Sequence, residues 1–213
     1  MKRPMSASLA LVAALSSLSS RSFAQSRSAA RPAPLPPPAE QCITTESARD
    51  ALAWTEEVLT RELNSVNDNP LVDPQRGEML FAGNFYGGHI ALTMDLLKIA
   101  AASVSDLADR QYALLVDARL NVGLPETLVG YHGCGVKALQ LTSSALAALA
   151  VQRSAADTTL SRPTEANNQD KVSMGANAAL NCGEVVTLLQ QVLAALLIAL
   201  SNAAALRDES RFA

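Results

Sequence analysis

The chain has 213 residues, 49% of them apolar and 4% aromatic, and a formal net charge of −3. That length fits one ordinary domain or a piece of something larger, and the apolar share can bury a sizeable core. The charge argues against a nucleic-acid partner, which needs a clustered basic surface. Alanine and leucine dominate, which favours helix over strand. Three cysteines, Cys42, Cys134 and Cys182, share no short spacing. They make neither a zinc motif nor a disulfide framework and suit a reducing compartment, so a cytoplasmic location is expected. No uninterrupted apolar run reaches the roughly 18 residues of a spanning helix. The longest, Val192–Leu200, is flanked by Gln190-Gln191 and Ser201-Asn202, and no membrane partner is expected.

Residues 1–46 read differently from the rest. They hold Lys2, Arg3, Arg21, Arg27 and Arg31 against Glu40 and Glu46, a balance of +3, while the remainder carries −6. Five prolines lie between Arg31 and Pro38, a run that favours extended backbone over helix. The beginning can be read as an export signal, with Lys2-Arg3 as the charged region and Ser22-Phe23-Ala24 as the cleavage site. It can also be read, and more readily, as a Pro/Ser/Ala/Arg-rich leader without structure, because serines dilute the apolar stretch and Arg21 sits close to the supposed cut. The first reading would move the protein out of the cytoplasm.

From residue 47 the pattern is helical. Thr44 or Thr45 is expected to cap a helix running to about Val66, with Glu46 in its first turn. Leu52, Leu59, Leu63 and Val66 form its apolar stripe. Asn67-Asp-Asn-Pro70 ends it, because the residue before proline leaves the helical region. After a loop with Pro74 and Gly77, a long helix carries Ile90, Met94, Leu97, Ala101, Val104, Ala108, Tyr112 and Leu115 at bundle-seam spacing. Its roughly 30 residues make a rod of about 45 Å. A glycine-rich loop, Asn121–Gly135, leads to a helix from Val136 to about Ser154. Arg162-Pro163 marks the next break, and a last helix runs from about Val172 to Arg207. The expectation is an all-α fold, an elongated bundle of long antiparallel helices. The last helix is apolar around most of its circumference, which implies cover on more than one side.

The candidates for chemistry lie in the breaks. Asn64-Ser-Val-Asn-Asp-Asn-Pro70 concentrates amides where a helix stops, and simple helix termination explains it as well as chemistry does. Gly83-Asn-Phe-Tyr-Gly-Gly-His89 sets two aromatics between glycines, as a pocket wall or as a tight turn with an apolar plug. His89 is an acid–base candidate or a surface residue, and His132 has no better claim. Thr164-Glu-Ala-Asn-Asn-Gln-Asp-Lys171 is the densest polar cluster. Glu165 and Gln169 are four apart, so on a helix they share a face and could hold an ammonium group and a polar ring substituent. An ordinary helix start capped by Thr164 accounts for it too.

Taken together, Asn64-Ser-Val-Asn-Asp-Asn-Pro-Leu71, Gly83-Asn-Phe-Tyr-Gly-Gly-His89 and Asn167-Asn-Gln-Asp-Lys-Val-Ser-Met-Gly175 resemble successive signatures of the aromatic amino-acid ammonia-lyases and the related 2,3-aminomutases. The resemblance covers about Ala48 to Arg207. It implies a mostly helical fold, a homotetramer with sites shared between subunits, an aromatic amino acid as substrate, and an electrophilic methylidene-imidazolone (MIO) made from an internal Ala-Ser-Gly. By the same resemblance Phe85 is the aromatic pocket residue, and Asn168 and Gln169 line the active-site strip. Glu165 is the carboxylate near the substrate amine and the expected catalytic residue. Glutamine at 169 stands where histidine lyases carry glutamate, which points to tyrosine or phenylalanine.

Departures from the family pattern set further expectations. None of the ten glycines follows a serine, so no cofactor is expected to form in this chain. The family's catalytic tyrosine loop is missing, as is the tyrosine- and arginine-bearing motif before the Ala48 helix. The chain therefore reads as a C-terminal portion of such an enzyme, inactive alone. The alternative is a non-catalytic helical subunit that assembles with itself or with a full-length homologue.

Overall fold

The computed structural model describes residues 39–81, 84–130 and 133–209. Residues 1–38 of the leader lie outside them, as does His132, whereas residues 39–46 fall within the first helix. The chain divides into two compact units, Met1–Ile43 and Thr44–Ala213, and the second holds the helical core. Four α-helices occur among the described residues: α1 (Ala39–Leu63), α2 (Gly88–Val116), α3 (Lys137–Gln152) and α4 (Gly175–Glu209). The fold is all-α, as the composition and the helical periodicities imply.

Helix α1 starts before Thr44 and Thr45, so neither caps it. Its buried stripe is Ala51, Thr55 and Val58, one residue out of phase with the expected leucines. Leu52 and Leu59 are half-buried, while Leu63 is 84% exposed. The Thr55 hydroxyl donates back to the Ala51 carbonyl at 2.7 Å, which lets a polar residue sit in that stripe. The helix stops at Leu63, short of Val66, because side chains take over its last carbonyls. Asn64 Nδ2 donates to Thr60 O at 2.6 Å and Ser65 Oγ to Glu62 O at 2.8 Å. The amide-rich segment thus terminates a helix in the ordinary way. The loop expected after it contains a short hairpin, β1 (Leu71–Asp73) against β2 (Glu78–Leu80), antiparallel with Val72 opposite Met79. Asp73 Oδ1 accepts the Gln75 and Arg76 N–H groups at 2.9 and 3.1 Å and shapes its turn.

Helices α2, α3 and α4 form the core. Ala147 of α3 packs among Ala108, Tyr112, Val116, Val192 and Ala199, and Ala150 packs among Ala101, Ala102, Val185 and Leu189. As α3 advances its partners on α2 and α4 recede, so it runs antiparallel to both. Helices α2 and α4 consequently run the same way. Early in α2 the buried stripe is Ala91, Asp95, Lys98, Ala102 and Ser105. The expected residues Ile90, Met94 and Leu97 are only half-buried, and Leu92, Leu96 and Ile99 are exposed. Ala91 lies beside Gly175 at the start of α4, and the polar pair Asp95 and Lys98 meets the segment at Asp157 and Thr158.

Helix α4 is long and apolar enough over Gly175–Arg207 to cross a membrane by length and composition alone. Its isolated polar residues interrupt the apolar runs without making the helix polar overall. In this fold Ala178, Val185, Val192, Ala199 and Ala203 of that helix are core residues. Two thiols have opposite settings. Cys134 is exposed, whereas Cys182 is buried on α4, and burial pushes its pKa up to about 11. A disulfide reagent at pH 8 is expected to label Cys134 in the native chain and Cys182 only on unfolding, read by peptide mapping. Native labelling of Cys182 would contradict this packing.

Candidate functional site

The second motif forms a single turn, Asn84–Tyr86, followed by Gly87 at φ 65°, ψ 21° and then the first residue of α2. That left-handed conformation suits glycine. Gly88 is constrained differently. A Cβ there would stand 2.3 Å from the Tyr86 ring, so the bare backbone lets the ring fold over the helix start. Ala91 N then donates to Gly87 O at 3.1 Å and opens the helical ladder. His89 is exposed, and its carbonyl accepts the Thr93 hydroxyl at 2.7 Å.

The Thr164–Lys171 cluster, which leads into the third motif, does not form the helix on which Glu165 and Gln169 would share a face. Glu165, Ala166 and Asn167 have φ of 53°, 54° and 70°, so they make a left-handed turn. Around it Thr164 and Gln169 pair as an antiparallel bridge, N to O at 2.8 and 3.3 Å. Thr164 makes no side-chain cap. Glu165 and Gln169 therefore share a hairpin-like loop rather than a helix face. Asn168 Nδ2 donates to Glu165 Oε2 at 3.2 Å, and the Thr164 hydroxyl lies 3.4 Å from Gln169 Oε1. Glu165 and Asn168 are exposed and Gln169 is half-buried. Ser161 Oγ accepts the Val172 N–H at 3.1 Å and closes the loop at its base.

The second and third motifs meet at one end of the bundle. A Cβ on Gly87 would touch Ser173 Oγ at 3.9 Å, and one on Gly175 would touch the Ala91 methyl at 3.7 Å. Between them lies a half-open cleft of about 330 Å³ lined by Tyr86, Gly88, His89, Leu92, Thr158, Lys171 and Ser173. Its lining thus combines residues bearing hydroxyls, an imidazole and an ammonium with the apolar Leu92. None of Phe85, Glu165, Asn168 and Gln169 lines this cleft. Phe85 is 47% exposed on the adjoining turn, while the other three share the loop above. Among the described residues no group of three or more His, Cys, Asp or Glu side chains could hold a metal ion.

Sequence reading missed a buried polar cluster beneath this end. Lys98 is fully buried, with its Nζ 2.9 Å from Asp95 Oδ1 and 2.5 Å from Asp157 Oδ2. Asp95 also accepts the N–H groups of Asp157 and Thr158 at 3.0 and 2.9 Å. Asn181 Nδ2 on α4 donates to both Asp157 oxygens at 2.9 Å. Burial alone would raise the Asp95 pKa, but the Thr158 N–H, the Lys98 ammonium and the Asp157 N–H together hold it below the ordinary 3.8. Burial likewise opposes charge on Lys98, yet Asp157 and Asp95 keep its pKa above the ordinary 10.5. The available signal was an i,i+3 Asp–Lys pair amid Leu92, Leu96, Leu97 and Ile99 of an otherwise apolar segment.

An all-α bundle of long rods, with an amide-rich loop set against a glycine-flanked aromatic turn, is the class of protein this geometry defines. The profile described as aromatic amino acid lyase matches residues 42–212. The chain belongs to the aromatic amino acid lyase family. It is 43% identical over 164 residues to a tyrosine ammonia-lyase of Cereibacter sphaeroides, covering 74% of this chain and 31% of that protein. It is 37% identical over 167 residues to a histidine ammonia-lyase of Anaeromyxobacter sp. (strain K), covering 78% and 33%. Among solved structures it is similar to a tyrosine aminomutase from Streptomyces globisporus, with a TM-score of 0.73 and 34% identity over 78% of this chain and 32% of that one. The chain thus spans 31–33% of the length of these curated relatives.

Proposed function

We propose that this chain is part of an ammonia-lyase or 2,3-aminomutase that removes or shifts the amine of tyrosine or phenylalanine. The observation that carries the substrate class is Gln169 in the third motif, where a neutral amide can hydrogen-bond a ring hydroxyl and lacks the charge that would favour an imidazole. In this reading Phe85 packs against the ring, Glu165 faces the substrate ammonium, and Asn168 and Gln169 orient the ring end. An amine is a poor leaving group and a β-proton a poor acid, so an electrophile and a positioned base are both needed.

The residues present do not fit the family's own electrophile. None of the ten glycines follows a serine, so the Ala-Ser-Gly precursor of MIO is not in this sequence. The isolated 213-residue chain is therefore proposed to be inactive. Mixing it with tyrosine or phenylalanine is expected to give no absorbance of coumarate or cinnamate, and intact mass should show no dehydration. Turnover by a homogeneous preparation would overturn the inactive reading.

Exposed Leu92, Leu96 and Ile99 on α2 and Leu197, Ile198 and Leu200 on α4 favour a second reading of the same chain. It is a helical subunit that assembles with itself or with a full-length homologue, lending Phe85, Glu165 and Gln169 to a shared site. Co-expression of a tagged chain with the Cereibacter sphaeroides relative tests this. Failure of the two to co-purify, with the chain itself monomeric, would sink it.

A further inference from the structure

The loop that carries Glu165, Asn168 and Gln169 is supported mainly at its ends. Arg162 to Asn168 are all exposed, and three successive non-glycine residues hold φ between 53° and 70°. L residues disfavour that region, and it persists only where the surroundings over-determine it. At the far end of the loop, Ser173 and Gly175 rest against Gly87 and Ala91. At the near end, the support is the buried cluster at Asp157.

We infer that Lys98 is the positioning residue for this loop. Its ammonium bridges two carboxylates from different elements, Asp95 on α2 and Asp157 at the start of the 157–172 segment. Asp157 is in turn held by Asn181 on α4, so one cation joins three parts of the chain. Without it, two carboxylates would face each other in a site closed to water, where like charges repel strongly. The cheapest relief is for the segment that carries Asp157 to leave, taking the base of the loop with it. Lys98 touches none of the proposed site residues and acts only through this tether. What the loop binds rests on the proposed function above, whereas the tether does not.

The test uses the full 213-residue chain carrying Lys98→Met, read by segment-resolved hydrogen exchange and by tryptic cleavage after Lys171. Exchange over residues 157–172 is expected to accelerate by about tenfold or more relative to α3, with Lys171 newly cut. Val192→Ala, in the other core cluster, serves as the control and should loosen the helices without singling out this loop. The double variant Lys98→Met/Asp157→Asn removes the charge conflict but does not restore the ammonium bridge. It should recover thermal stability while the loop stays fast, and it carries the test if the single variant does not fold. Unchanged loop exchange in a folded Lys98→Met chain would overturn the inference. So would wild-type loop protection in the double variant, since the lysine would then only neutralise charge. No substrate enters this measurement, so a failure of the proposed substrate class leaves its outcome intact.

Discussion

Asp95→Ala is expected to destabilise the bundle by about 3–5 kcal/mol, the cost of removing one partner from a buried ion pair. Asp95 is 3% exposed and Lys98 wholly buried, so the ammonium cannot recover its lost partner from water. The Asp157 and Thr158 N–H groups lose their acceptor as well, and an orphaned buried donor costs about 1–3 kcal/mol. Asp95→Asn keeps one acceptor oxygen and should cost less. Chemical unfolding monitored by circular dichroism measures both, and a loss under about 1 kcal/mol for the alanine variant would mean the cluster is not closed to water.

The same groups set a pH window. With Asp95 depressed below its ordinary 3.8, its contribution is complete above that value and is lost as pH falls through the folded-state pKa. With Lys98 raised above 10.5, its contribution is complete below that value and is lost as pH rises through its folded-state pKa. The wild-type melting temperature should therefore fall at both extremes. In Asp95→Ala the acid limb should flatten.

Tyr112→Ala is the second large effect, expected at about 3–5 kcal/mol from lost apolar contact and the cavity left behind. Tyr112 is fully buried in the cluster formed by Ala108, Val116, Leu128, Ala147 and Val192. Its hydroxyl donates to the Val136 carbonyl at 3.0 Å, joining the end of α2 to the start of α3. Tyr112→Phe keeps the ring and loses that hydrogen bond, so about 1 kcal/mol is expected. A phenylalanine variant as damaged as the alanine one would place the main contribution in the hydroxyl. Equilibrium unfolding of both variants decides between the ring and the bond.

Four helices and their breaks were legible because helical periodicity and proline and glycine positions are local properties of the chain. Tyr112, Ala108, Val104 and Ala101 were placed correctly in the core for that reason. The amide and glycine motifs also fell near helix boundaries, one just past the end of α1 at Leu63 and one at the start of α2 at Gly88, and together they carried the family. Local rules failed where distant residues compete. The short hairpin after Pro70 was not foreseen, because its strands are only three residues each.

The sequence by itself determined that this is an all-α chain of the aromatic amino acid lyase family with its densest polar cluster at Thr164–Lys171. Only the tertiary structure decided how that cluster is shaped and held. A helical spacing of four, from Glu165 to Gln169, became a left-handed turn because the bridge at Thr164 and Gln169 and the tie at Ser161 override local propensity. Which face of α2 is buried was decided in the same way. Apolar content favoured Ile90, Met94 and Leu97, but α4 and the Asp157 segment bring an amide and a carboxylate to a stripe one residue further round, at Ala91, Asp95 and Lys98. Lys98 and Asp95 are stable there because their partners arrive from 59 and 62 residues further along the chain. No periodicity within one helix records a charge that becomes favourable only once another element neutralises it.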